Sequence, residues 1–377
     1  MKNIVVCCDG TANEFAADRT NVVKLFSALT HDPAEQVAYY HPGLGTMEPA
    51  GALTRPARWA TRLLGKAVGY GLEADVRDAY AYIMEQYEPG DRVFLFGFSR
   101  GAYTVRAVAS LLRLYGLMPK GNAALVPYAV RMLTGVDAGG RSAGRGAYFR
   151  LAADFKACFG APRACRTYFL GVWDTVSSVG WIGNPLRLPH TAANPDIRHV
   201  RHAIAIDERR AFFRTNLFRD VTPDPGERAQ DLRQVWFPGV HCDVGGGYPE
   251  DESELSQVAL RWMAEEAIAL GLRVDPVRLS ALTATAALPV AGTGALHESL
   301  TWPWWPAEFL PKRHFDWASR TWGRRMNLFR GRTVPSGALV HERAKRMGGS
   351  YLAKLPDDVT FVPSAPSPCH PGCGAGA

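Results

Sequence analysis

Residues 92–106 read Arg-Val-Phe-Leu-Phe-Gly-Phe-Ser-Arg-Gly-Ala-Tyr-Thr-Val-Arg. An apolar run, Val93 to Phe96, enters Gly97-Phe98-Ser99-Arg100-Gly101, and an alanine-bearing stretch of helical character, Ala102 to Leu114, follows. That order predicts a buried strand, a sharp turn and a helix, with Ser99 at the turn. Glycine on both sides suits such a turn, because a side chain at either place would collide. The hydroxyl is expected to stand clear of the sheet at the positive end of the helix.

The same alternation extends outward. Strands are predicted at Asn3–Cys8, Val37–Tyr40, Val93–Phe96, Thr167–Trp173 and Gln234–Val240. Helices are predicted at Val22–Leu29, Leu72–Tyr87, Ala102–Leu114 and Leu255–Ala269. Short apolar strands separated by helices describe an α/β fold with a doubly wound, mostly parallel sheet. Ligands of such sheets bind beyond the carboxyl ends of the strands, and Asp9, Ser99, Asp174 and His241 all fall at such ends. The core is expected over residues 1–279, with insertions near 50–71 and 116–165. A Trp/Arg-rich cap or lid is expected over 280–332, a return to the core over 333–362, and a flexible tail over 363–377.

With 377 residues, 47% of them hydrophobic and 21% charged, the chain is long enough for a large packed core. No apolar run approaches the length of a membrane span. The first strand begins at once after Met1-Lys2, which leaves no room for a secretory signal, so the chain is expected to be cytoplasmic, with export open only to a dedicated machinery. The seven cysteines are odd in number and Cys7 and Cys8 are adjacent, as free thiols of a reducing compartment would be. Cys369 and Cys373 flank a His-Pro-Gly stretch without a second ligand pair, and neither metal nor cofactor is expected. A net charge of +7 suits an anionic surface without requiring one.

A serine nucleophile needs a base within reach and a third group to orient it. The chain supplies Asp174 in Gly171-Val172-Trp173-Asp174-Thr175-Val176, and His241 in Phe237-Pro238-Gly239-Val240-His241-Cys242-Asp243-Val244-Gly245-Gly246-Gly247. The order Ser99, Asp174, His241 is that of α/β-hydrolases. Each has a plainer reading: Asp174 as a helix cap and His241 as a structural histidine. Asp243 is a rival acid; His297 and His341 are rival bases. The developing oxyanion calls for N–H donors, expected from Arg100 and from Gly10 or Thr11. Asp9 and His41 are expected to border the site. Asp9-Gly10-Thr11 also resembles the opening of haloacid-dehalogenase phosphatases, but those carry two aspartates two positions apart, and here position 7 is Cys7.

Many of these stretches together resemble one family. Asp9-Gly10-Thr11, Thr20-Asn21-Val22, Pro42-Gly43-Leu44-Gly45-Thr46, the Gly97–Arg106 run, Val172–Val176, Ala205-Ile206-Asp207-Glu208-Arg209-Arg210 and Phe237–Tyr248 are similar to DUF2235 proteins. That family includes the Tle1-type phospholipase effectors of type VI secretion. The resemblance runs from about residue 1 to 270 and resumes near His341. It implies an α/β-hydrolase fold, a triad at Ser99, Asp174 and His241, and a phospholipid ester as one substrate. Effectors of that type are longer and carry extra membrane-binding modules.

Residues 302–332 hold Trp302, Trp304, Trp305, Phe309, Phe315, Trp317, Trp322 and Phe329 among seven lysines and arginines. Such a composition fits a lipid–water interface or a lid over an acyl cleft, and equally a cap that simply packs on the sheet. A lipid or small ester and a membrane surface are the expected partners, nucleic acid is not, and no protein partner is indicated. A rival reading makes the fold a non-catalytic binding or scaffold module that works through this segment.

Overall fold

The computed structural model describes residues 1–10, 18–43, 66–135, 144–160, 165–176, 180–181, 184–185, 188–222, 228–284, 296–316 and 321–363. Eight strands form the main sheet: β1 Asn3–Cys8, β2 Gln36–His41, β3 Arg92–Phe98, β4 Thr167–Trp173, β5 His199–Ala205, β6 Asp231–Phe237, β7 Leu339–His341 and β8 Thr360–Val362. Their order across the sheet is β8-β7-β6-β5-β4-β3-β1-β2, and every pairing is parallel. Strand order reverses between β1 and β3. In an open parallel sheet the crevice at that reversal is where ligands bind, and the turn carrying Ser99 leaves β3 there.

Alternation explains the two packed faces. Ile4, Val6, Val93 and Leu95 point into one cluster with the helices Lys66–Gln86 and Ser99–Tyr115. Val5, Cys7, Phe94 and Phe96 point into the other with the helices Asn21–Ala28 and Glu254–Ile268. A strand buried on both faces reads as a continuous apolar run, which is why β1 and β3 were visible in the sequence.

Several boundaries differ from expectation. The helix expected from Leu72 starts at Lys66, and the helix after the turn starts at Ser99 itself. The strand expected over Gln234–Val240 is Asp231–Phe237: Pro238 cannot extend the ladder and Gly239 turns the chain with φ +110°. Strand β5 was missed. Its Arg201 and His202 break the apolar pattern, yet both are buried, Arg201 through ion pairs with Glu266 and Asp231. The stretch after Gly116 contributes helices Val126–Thr134 and Gly144–Phe159, and the Tyr115 and Tyr148 hydroxyls meet at 2.8 Å. The expected cap is only partly helical. It contains a turn at Trp302–Trp304, a short helix at Trp305–Glu308, and an antiparallel hairpin of Lys312–Asp316 with Thr321–Arg325. Most of the insertion near 50–71, the loop residue Thr11 and the cysteine-bearing tail lie outside the described residues.

Candidate active site

Ser99 sits where β3 becomes a helix. Phe98 is extended, with φ −122° and ψ 142°, and Ser99 is left-handed at φ 56°. A non-glycine residue held there costs of order 1–3 kcal/mol, which the surrounding packing must offset. The flanking glycines are required by close approach. A Cβ on Gly97 would strike the Gly101 carbonyl, and one on Gly101 would strike the carbonyl oxygens of Cys8 and Asp9 where β1 ends. The turn therefore presses against the neighbouring strand end, and Ser99 is 8% exposed.

One strand further on, Asp174 follows β4 and is also left-handed, at φ 37°. Its N–H donates to the Ala203 carbonyl at 2.7 Å, and its Oδ1 accepts from the Ala205 N–H at 3.0 Å. The carboxylate is thus clamped to the end of β5. Its Oδ2 lies 2.5 Å from His241 Nδ1. Arg332 grips it from the other side, with Nη1 at 2.5 Å from Oδ1 and Nη2 at 3.0 Å from Oδ2. Burial pushes the Asp174 carboxyl upward, but the Arg332 charge and the His241 bond outweigh it and hold the group well below the usual carboxylate range. Burial lowers His241 against the opposing pull of Asp174, so its ring rests neutral.

The imidazole is 3% exposed and held between two rings, Phe98 at 4.6 Å and Phe213 edge-on at 4.8 Å between centroids. Phe98 is the residue before Ser99, so the aromatic contact ties the two loops together. Among the described residues the ring has one hydrogen-bond partner, Asp174 at Nδ1, which leaves Nε2 open.

The loop that carries His241 is fixed by residues whose roles the sequence did not assign. Glu208 accepts from the His241 N–H at 3.2 Å and is bound bidentately by Arg210, at 3.0 and 2.8 Å. Asp207 accepts from the Gly239 N–H at 2.7 Å and from the Tyr351 hydroxyl at 2.6 Å. Both acids stand just past β5 in the Ala205–Arg210 stretch. Arg210 lies over the Phe213 ring at 3.5 Å, and Trp304 meets that ring at 5.6 Å. Repetition of the stretch as a family feature was the available signal; Arg332, counted in the sequence as part of a basic surface, gave none.

The remaining expected residues divide clearly. Asp243 accepts from the Val240 N–H at 2.9 Å and lies 2.6 Å from His297 Nδ1, so it orients His297 instead of His241. His341 is 1% exposed, stacks on Phe237 at 4.7 Å, and is driven down to about 3 by burial. Asp9 accepts from the Thr20 hydroxyl at 2.6 Å, the Tyr40 hydroxyl at 2.9 Å and the Gly10 N–H at 2.7 Å. The Gly10 amide is therefore directed at its neighbour's carboxylate. Arg100 is the second residue of the helix that begins at Ser99, so its backbone N–H lies in the first turn. His41 is the last residue of β2, with Nε2 at 3.6 Å from Asp75, on the far side of β1 from His241. Trp302 and Trp305 are 76% and 51% exposed.

The fold is thus a doubly wound α/β sheet, with a strained serine turn at its reversal point and a buried Asp–His pair beside it. The chain belongs to the family described as "T6SS, Phospholipase effector Tle1-like, catalytic domain", which matches residues 2–266. It is 26% identical over 396 residues to an uncharacterized protein, YEL023C, of Saccharomyces cerevisiae, covering 73% of this chain and 58% of that one. Two solved structures are similar more distantly. An uncharacterized Pseudomonas aeruginosa protein has a TM-score of 0.46 and 20% identity, over 74% of this chain and 47% of that chain. The Tle1 effector bound to the VgrG spike of the type 6 secretion system has a TM-score of 0.36 and 19% identity, over 65% and 51%. This chain spans only about half to three-fifths of these relatives' lengths.

Proposed function

We propose that the chain is a serine hydrolase that cleaves carboxylic esters, and that its substrates are lipid or phospholipid acyl esters. Ser99 attacks the acyl carbonyl. His241 takes the hydroxyl proton at Nε2 and returns it to the leaving alcohol, and Asp174 holds the ring in the tautomer with hydrogen on Nδ1. The Arg100 N–H, in the first turn of the helix that begins at Ser99, is read as a donor to the developing oxyanion; the Gly10 amide is engaged by Asp9 and does not serve as the second. The observation that carries the reading is the 2.5 Å contact of a neutral, buried His241 with an ionised Asp174, one aromatic ring from the Ser99 turn.

Lipid as the substrate class is supported by the family and by the surface of the cap. Trp302, Trp305, Phe309, Leu310, Met326 and Leu328 are all at least two-fifths exposed, and Arg324, Arg325 and Arg330 are exposed beside them. Apolar and cationic groups together suit the boundary of an anionic bilayer. Among the described residues no helix is long and apolar enough to cross a membrane. The test is hydrolysis of short and long acyl esters by the wild type and by Ser99→Ala. Loss of both activities in the variant is expected; equal activity ends the triad proposal and favours the binding-module reading.

A further inference from the structure

We propose that Arg332 is a positioning residue for the reaction: it fixes and keeps charged the carboxylate that orients His241, and it ties the cap segment to that carboxylate. This rests on the Ser99–Asp174–His241 reading. The guanidinium carries five N–H donors, and five hydrogen bonds are made. Two go to Asp174; Nη1 also reaches the Ala205 carbonyl at 2.9 Å; Nη2 and Nε both reach the Phe213 carbonyl, at 2.6 and 3.2 Å. A planar fork is needed to serve all three acceptors at once, and lysine cannot reproduce it.

The location gives this fork its significance. Arg332 closes the Trp/Arg-rich stretch and lies beyond the residues that match the family's catalytic domain. The same stretch returns to the site through Trp304, which packs on Phe213, whose ring packs on His241. The cap therefore holds the backbone of Phe213 with one residue and its ring with another. Displacing the cap would withdraw Arg332 from Asp174 and loosen the wall of the His241 pocket together.

The charge has a separate consequence. Beside His241 stand Asp174, Glu208 and Arg210, with Asp243 on its own short helix; His202, near Asp174, is kept neutral by burial at about 3. Removing the Arg332 charge leaves the Asp174 charge unshared. His241 then holds its proton more tightly, and the base form appears only at higher pH.

The experiment compares Arg332→Gln and Arg332→Lys with the wild type, reading fluorophosphonate labelling at Ser99 and kcat/KM on a short acyl ester between pH 4.5 and 9. Arg332→Gln is expected to lose about 10²-fold in rate and to move the acid limb upward by about one pH unit. Arg332→Lys is expected to lose rate because the fork is gone, yet to keep the limb near its wild-type position because the charge remains. A uniform loss in Arg332→Gln without movement of the limb makes the residue structural only and overturns the proposal, as does an unchanged rate. Should Arg332→Gln not fold, the limb of Arg332→Lys decides: a wild-type position with reduced rate supports the proposal, and a displaced limb overturns it. A wild type that never reacts at Ser99 removes the triad itself, whereas a reactive wild type matched by both variants removes only the role of Arg332.

Discussion

Replacing Asp174 by Asn tests the site in activity and stability together. The amide keeps the size of the carboxylate, and its oxygen can still accept from the Ala205 N–H and from Arg332 Nη1. Its nitrogen then faces His241 Nδ1 across 2.5 Å and Arg332 Nη2 across 3.0 Å. The first meeting forces the wrong tautomer, with hydrogen on Nε2, so the ring can no longer take a proton from Ser99; in triads of this kind that costs about 10⁴ in kcat. The second sets donor against donor and leaves the Arg332 charge, 7% exposed, without its counter-ion. Breaking one side of a buried pair costs about 3–5 kcal/mol. In a protein of this size that lowers Tm by about 5 °C.

The pH dependence has a definite sign. Asp174 is held below its ordinary value of 3.8 in the fold, so its contribution is complete above that value and is lost as pH falls through the folded pKa. Urea midpoints of wild type and Asp174→Asn should therefore differ by a constant amount from pH 8 to pH 5, and the gap should narrow below pH 4. An ester hydrolysis rate within tenfold of the wild type, or a stability gap that widens on acidification, would refute the reasoning.

Three other outcomes follow from contacts in the same region. Gly245→Ala would drive a methyl group into the Phe98 ring, which lies against His241; a loss of about 2 kcal/mol in urea denaturation and slower labelling at Ser99 are expected. His297 is raised because Asp243 and Glu252 outweigh the effect of its burial, so its pairing is complete below the ordinary value of 6.5 and lost as pH rises through the folded pKa. His297→Ala should accordingly lower the urea midpoint more at pH 6 than at pH 9. Trp302 and Trp305, both more than half exposed, should on joint replacement by Ala reduce hydrolysis of vesicle lipid more than that of a short soluble ester.

How far the sequence revealed the fold depended on how each strand is buried. Strands β1, β3 and β4 lie mid-sheet with apolar residues on both faces, and their limits were legible to within two residues. Strand β5 is equally central, but it buries Arg201 and His202 through Asp231, Glu266 and Gln234, partners brought by other elements. Nothing local announces such a strand, because its polar groups are compensated only after the sheet has formed. Strands β7 and β8 span three residues each and were nearly silent for lack of any period.

The site divides along the same line. Ser99 was legible because a strained turn must carry its glycines nearby in sequence, and the steric reasons for Gly97 and Gly101 are local. Asp174 and His241 were legible because strand ends in a parallel sheet point to one crevice. Arg332 was not, since its meaning lies wholly in what it meets: the two oxygens of Asp174 and two carbonyls far away in sequence. An arginine in a Trp-rich basic stretch carries the same local signal whether it faces lipid or closes a buried ion pair. The difference is decided by which neighbours have unfilled acceptors. Here Asp174 is buried and charged, and beside its bond to the imidazole it accepts two more from the Arg332 guanidinium. That cation comes from the segment that also supplies the exposed tryptophans.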